Sequence, residues 1–309
     1  EAQDERHLSG PLGIKLEHTE DPEARQALLT RLADLAERVQ RDGALAFTFY
    51  RRALSEDHAQ ESTREHLERL AEANGLWGEL VQSFEEAVAK FGSDPQSLSM
   101  RLKIALVYEQ HLNDLEAALR ATQAILDIDA EQAQAIESLE RLYLALGREE
   151  DLLKVLETKL SLAESSEDQR SIQSRIGSIH EQLGHHDQAI AAYEAVLATG
   201  VEDLSVLASL DRMYLGLDRH ADLADIIRRE LAQLDEADGD TRAGFLLRLG
   251  ILYQEHLGDA REAIDDFRQV LEIRSDAADA RARLAGWLDD EALRTAVATG
   301  CSCGVATNP

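Results

Sequence analysis

The chain has 309 residues, 60 of them acidic and 32 basic, for a formal charge of −28 at pH 7. Such a charge repels nucleic acid phosphates and anionic lipid surfaces, which sets aside nucleic acid and membrane as main partners. No run approaches the roughly 18 apolar residues of a membrane span, and with only four prolines the composition suits long amphipathic helices.

In chain order, the first element is "IKLEHTEDPEAR" at 14–25, whose Lys15 and Leu16 stand 144 residues before Lys159 and Leu160 in "TKLSLAESSEDQR". It reads as the second half of a hairpin, so residues 1–20 are expected to form an orphan helix, and the chain to be a segment of a longer array. Asp21 before Pro22 is an N-cap with proline at the first helical position, and Asp94 before Pro95 repeats it. Next, "GALAFTFYRRAL" brings Ala46 into one column with Ala118 of "YEQHLNDLEAALRATQAIL", Ala189 of "HEQLGHHDQAIAAYEAVL" and Ala263 of "YQEHLGDAREAIDDFRQVL", at spacings of 72, 71 and 74. Between these hairpins lies a second kind, "LERLAEANGLWGELVQSFEEAV" from Leu67, "LERLYLALGREEDLLKVLETKL" from Leu139 and "LDRMYLGLDRHADLADIIRREL" from Leu210. Gly43, Gly75, Gly147, Gly184 and Gly258 mark the turns between paired helices. At the end, Leu284 and Trp287 fit the columns of Leu210 and Met213, "LDDEALRTAVA" reads as a short helix, and "TGCSCGVATNP" is aperiodic. Cys301 and Cys303 belong to that tail and provide no disulfide framework or internal zinc site.

A period near 36 within a super-repeat near 72 marks a helical repeat array, because one hairpin cannot bury its own apolar face and must stack on neighbours. The odd hairpins resemble the tetratricopeptide repeat. Ile176, Gly177, His180, Gly184, Ala189, Tyr193, Val196 and Leu197 match its pattern, as do Leu246, Leu249, Gly250, Tyr253, Ala263, Phe267 and Leu271 with one extra residue in the turn. The even hairpins depart from it, with Glu68, Glu140 and Asp211 in a small-residue column and Leu80, Leu152 and Leu223 where alanine is usual, so their helices should pack more loosely. The resemblance implies an all-α, right-handed superhelical solenoid of antiparallel hairpins over 21–299, seven whole hairpins and a shortened eighth, followed by an unstructured tail at 300–309.

No phosphate loop, dinucleotide fingerprint, HExxH helix or serine elbow is present, so neither catalysis nor a cofactor is expected. His180, His185, His186, Asp187 and His220 form the best candidate metal cluster, a weak one because His180 sits in a core column; His111 and His256 read as helix-end residues favoured by the C-terminal dipole. The informative pattern is basic. Arg31, Lys103, Arg175 and Arg248 recur in the odd first helices, and Arg69, Arg141 and Arg212 in the even ones. First helices line the concave groove of tetratricopeptide proteins, so by resemblance these seven form a stripe that would grip an acidic protein or peptide. Glu68, Glu140 and Asp211 beside the even arginines, with Glu37, Glu109 and Glu181 in the odd helices, allow the other reading, a ladder of salt bridges between helices. The asparagines of the family's carboxylate clamp are absent. The sequence thus reads as a non-catalytic interaction scaffold. The alternative is a structural spacer, or a self-assembling segment associating through Leu12 and Leu16 at one end and Leu288, Leu293 and Val297 at the other, in a protein whose enzyme domain would lie outside this chain.

Overall fold

The computed structural model describes residues 9–92, 94–235 and 237–287, and among these it contains helices and turns but no strand. The helices are α1 (Ser9–Glu17), α2 (Pro22–Leu35), α3 (Gly43–Glu56), α4 (Glu61–Asn74), α5 (Trp77–Phe91), α6 (Pro95–Gln110), α7 (Leu115–Leu126), α8 (Ala133–Leu146), α9 (Glu149–Leu162), α10 (Ser166–Gln182), α11 (His186–Leu197), α12 (Leu204–Gly216), α13 (His220–Gln233), α14 (Gly239–Leu252), α15 (Ala260–Ile273) and α16 (Ala278–Gly286). From α2 onward they pair into hairpins, as the repeat predicts. The chain divides within α9 into two compact units, Glu1–Lys159 and Leu160–Pro309. The expected helix "LDDEALRTAVA" and the tail lie outside the described residues.

Capping chemistry fixes the helix starts. Asp21 accepts from the Ala24 amide at 2.9 Å and Asp94 from the Ser97 amide at 2.7 Å. The carboxyl of Asp94 is held down to about 2 by its bonds to Ser97 and His58. The same device opens the second helices α3, α7 and α15, where Asp42, Asp114 and Asp259 cap the amides of Leu45, Ala117 and Glu262. Glycine in the left-handed region ends α4 and α8 at Gly75 and Gly147. Gly43 differs from its expected role: it opens α3, and Arg41 takes the left-handed conformation (φ 56°) instead. The extra residue of the seventh hairpin is absorbed by a π-helical turn, Tyr253–Leu257, at the end of its first helix, and Ala36–Gln40 is a second such turn after α2.

Small residues in the odd hairpins mark real close approaches. A Cβ on Gly177 would stand 2.7 Å from the Tyr193 ring, and one on Gly250 would stand 2.6 Å from the ring of Phe267. Each unit has its own apolar core. In the first, Phe47, Tyr50, Leu67, Leu80 and Phe84 are among the buried residues; in the second, Leu207, Leu210, Ile264 and Phe267 are. Full burial of a phenylalanine such as Phe84 or Phe267 stabilises its unit by about 1.5–3 kcal/mol. Helix α1 is not left bare as its sequence suggests. Leu16 is buried against Leu28, Leu29, Leu32 and Ala53 with Leu12 beside it, and Ile14 is the exposed apolar residue there.

Candidate functional site

Within each unit, column cations of the first helices reach acids on the preceding first helix. In the first unit Arg69 grips Glu37 with both terminal nitrogens at 2.6 and 2.7 Å, Lys103 reaches Glu68 at 2.8 Å, and Arg141 reaches Glu109 at 3.2 and 3.3 Å. In the second unit Arg212 donates to Glu181 at 3.1 Å, and Arg248 closes a bidentate pair on Asp211 at 2.7 and 2.9 Å. The Arg69 guanidinium holds the Glu37 carboxyl below the usual carboxylate range, and Arg69, Arg141 and Arg248 are each held more firmly protonated by hydrogen bonds to their acids. Arg175 is engaged as well. Arg31 has no ion-pair partner among the described residues. Five of the seven column cations therefore make inter-helix ion pairs of the kind one sequence reading allowed.

The rungs are not equal. Arg141 and Arg212 have the longest ion-pair contacts and the most exposed side chains, 51% and 68%. Each also donates to a serine one turn back, Ser138 at 3.1 Å and Ser209 at 3.2 Å. Glu181 has only one oxygen for Arg212, because Tyr193 Oη donates to the other at 3.0 Å. Two features escaped the sequence reading. Leu144 and Leu215 lie three residues after these arginines and are exposed at 61% and 54%; the parallel texts "SLERLYLAL" and "SLDRMYLGL" signal them. Arg283, 71 residues after Arg212 and not among the cations read from the sequence, adds a rung to Glu255 at 2.7 Å.

Three segments match tetratricopeptide repeat families, at residues 135–170, 171–198 and 245–277. The chain contains tetratricopeptide repeats. The match at 135–170 falls on an even hairpin, so Glu140 in the small-residue column does not remove it from the family pattern. No curated protein matches the chain. Similar solved structures include a tetratricopeptide repeat protein from Parabacteroides merdae, at 14% identity over 83% of this chain and 96% of that one, TM-score 0.36. YrrB, described as a tetratricopeptide protein with an unusual peptide-binding site, is similar at 14% identity over 66% of this chain and 98% of its own, TM-score 0.36. A structure of Naa15/Naa10 bound to HypK-THB is similar at 13% identity over 96% of this chain and 54% of that one, TM-score 0.47.

Within the tetratricopeptide hairpins the histidines are spread among separate contacts. His180 and His185 stand 5.6 Å apart ring to ring, His220 packs on His256 at 3.9 Å, and His111 stacks on Trp77 at 3.6 Å. No three metal-ligating side chains converge among the described residues. Two carboxyls of the second unit are unusual. Burial, then the neighbouring Asp211, pushes Glu230 up to about 7. Burial, then Glu262, pushes Asp266 up to about 7 against the opposing pull of Arg228. Glu230 Oε2 and Asp266 Oδ2 are buried without a hydrogen-bond partner.

Proposed function

We propose that this chain is a non-catalytic scaffold that binds a protein or peptide in the concave groove lined by its first helices, with Arg31, Arg69, Lys103, Arg141, Arg175, Arg212 and Arg248 supplying cationic contacts. One observation carries this reading: in a chain of charge −28, cations recur at fixed places on successive first helices, and the side chains of Arg141 and Arg212 are 51% and 68% exposed. Such a group has donors left for a carboxylate from outside. Family membership supports an interaction role in general, while the partner is set by side chains and not by the fold.

The test is Arg141→Ala, measured with a partner obtained by affinity capture and then purified. An exposed ion pair is worth roughly 0–1 kcal/mol, so loss of the Glu109 rung leaves the melting temperature nearly unchanged. A charge-assisted bond to a ligand is worth about 1.5–3 kcal/mol, so its loss weakens binding roughly ten- to a hundredfold. A variant that melts much earlier yet binds the partner unchanged would show that the column is structural only.

A further inference from the structure

The helices α8 and α12 carry nearly the same nine residues, "SLERLYLAL" from Ser138 and "SLDRMYLGL" from Ser209. Positions two, five and six of each text are core: Leu139, Leu142 and Tyr143 in one, Leu210, Met213 and Tyr214 in the other, all buried. Positions one, four and seven share the opposite face, since residues three apart are neighbours on a helix surface. That face reads serine, arginine, leucine in both helices. A lone exposed leucine is ordinary on any protein. Here, however, the exposed leucine recurs at one repeat position and follows, in both cases, a loosely held and exposed arginine.

The molecule contains its own contrast. In α4 the same three positions are His66, Arg69 and Glu72, and Arg69 there is locked to Glu37 through both terminal nitrogens at 2.6 and 2.7 Å. Where the arginine is held by two short contacts, the leucine is missing, although that side chain is 49% exposed. On α12 Arg212 also lines a depression of about 420 Å³, with Glu181, His186, Met213, Gly216 and Leu217. Gly216 adds no side chain there, and nothing stands within 4 Å of where its Cβ would be.

We propose that α8 and α12 each present a two-point docking site for a peptide segment in which a carboxylate side chain stands next to a large apolar one. The carboxylate takes the free donors of Arg141 or Arg212. The apolar side chain covers Leu144 or Leu215, and on α12 it enters the adjoining depression. This rests on the scaffold reading and gives its partner a chemistry. Charge complementarity selects an acid over a base at the guanidinium. A purely acidic segment is not enough, because one exposed ion pair gains only roughly 0–1 kcal/mol while the chain as a whole repels anions through its charge of −28. Apolar burial supplies the remainder at about 25 cal/mol per Å².

The probe is a fluorescein-labelled peptide alternating glutamate and leucine, titrated with the full chain and read by fluorescence anisotropy, beside glutamate–serine and lysine–leucine peptides. The glutamate–leucine peptide should bind and the other two should not. Arg212→Ala combined with Arg141→Ala, and Leu215→Ser combined with Leu144→Ser, should each weaken it at least about tenfold, while Lys154→Ala, an exposed cation outside the columns, leaves it unchanged. All these positions are at the surface, and circular dichroism melts confirm that the variants fold. Equal binding of the lysine–leucine or glutamate–serine peptide overturns the proposal, as does equal binding by the leucine variants. A dimer of the chain that Leu215→Ser dissolves, with no peptide binding, also overturns it by assigning the face to a second copy. A captured natural partner that binds the variants and the wild type alike removes this site and leaves the scaffold reading standing.

Discussion

Replacing Glu230 with glutamine should stabilise the second unit at alkaline pH and do little at acid pH. In the even hairpins Glu230 stands 71 residues after Lys159, whose ammonium donates to Glu140 at 2.5 Å. The equivalent place near Asp211 thus holds a second acid instead of a base. Burial and the charge of Asp211 raise Glu230 from 4.5 to about 7, with Arg248 pulling the other way. The unfolded chain releases this proton near its ordinary value and the folded chain keeps it until about 7. Between those limits the folded state binds more protons, so stability falls as pH rises, and the whole loss is in force above about 7. Each unit of difference corresponds to about 1.36 kcal/mol, which sets a ceiling of roughly 3 kcal/mol; solvent screening of this partly exposed carboxyl brings the expectation to about 1–2 kcal/mol. The assay is thermal unfolding at pH 5 and pH 8, with hydrogen exchange assigning the change to residues after 160. Glu230→Gln should raise the melting temperature by a few degrees at pH 8 and Glu230→Lys should do at least as well. If the glutamine variant melts like the wild type at pH 8, or gains as much at pH 5, the two-carboxyl argument is wrong.

Asp266 stands in the column occupied by Phe49, Ala121 and Ala192 in the other odd hairpins. Asp266→Ala should therefore stabilise the second unit by about 1–3 kcal/mol at pH 8, with the gain fading toward pH 4, as urea titrations across that range would show. Gly250→Val places a branched side chain where even a Cβ would stand 2.6 Å from the buried Phe267 ring. It should cost about 1–3 kcal/mol and perturb the near-ultraviolet circular dichroism; an unchanged melt and spectrum would disprove the close approach.

The hairpins were legible because a fixed period repeats several independent signals at once. The small residues Gly177 and Gly250, the ring positions Tyr193 and Phe267, and the proline-tagged caps at Asp21 and Asp94 all agree, and the structure places them as read. The π-helical turns were not legible, since one inserted residue looks the same in sequence whether a loop or a helix end absorbs it. The caps Asp42, Asp114 and Asp259 were hidden among many other acids. The ladder was half legible: both its cations and its anions were visible in columns, but their pairing depends on how far one hairpin is offset from the next. Glu230 and Asp266 gave no signal, because an acid in a chain with 60 of them looks ordinary until its burial is known.

The departure of the even hairpins from the small-residue pattern now has a physical meaning. An acid in that column sits at the edge of the helix interface, where it receives the cation of the next odd first helix: Glu68 takes Lys103 and Asp211 takes Arg248. Those rungs bring their acids toward the interior, most clearly Asp211, whose side chain is 10% exposed. The reverse rungs run from even arginines to Glu37, Glu109 and Glu181, and leave the guanidinium outermost, with Arg69, Arg141 and Arg212 all more exposed than Lys103 or Arg248. The two half-ladders therefore divide the work. Lys103 and Arg248 of the odd helices are committed to joining neighbouring hairpins. Cations of the even helices remain available at the surface, and Arg69, doubly bonded to Glu37, is the least free of them. The candidate binding face thus falls on α8 and α12, in even hairpins, where the column arginines stay outward.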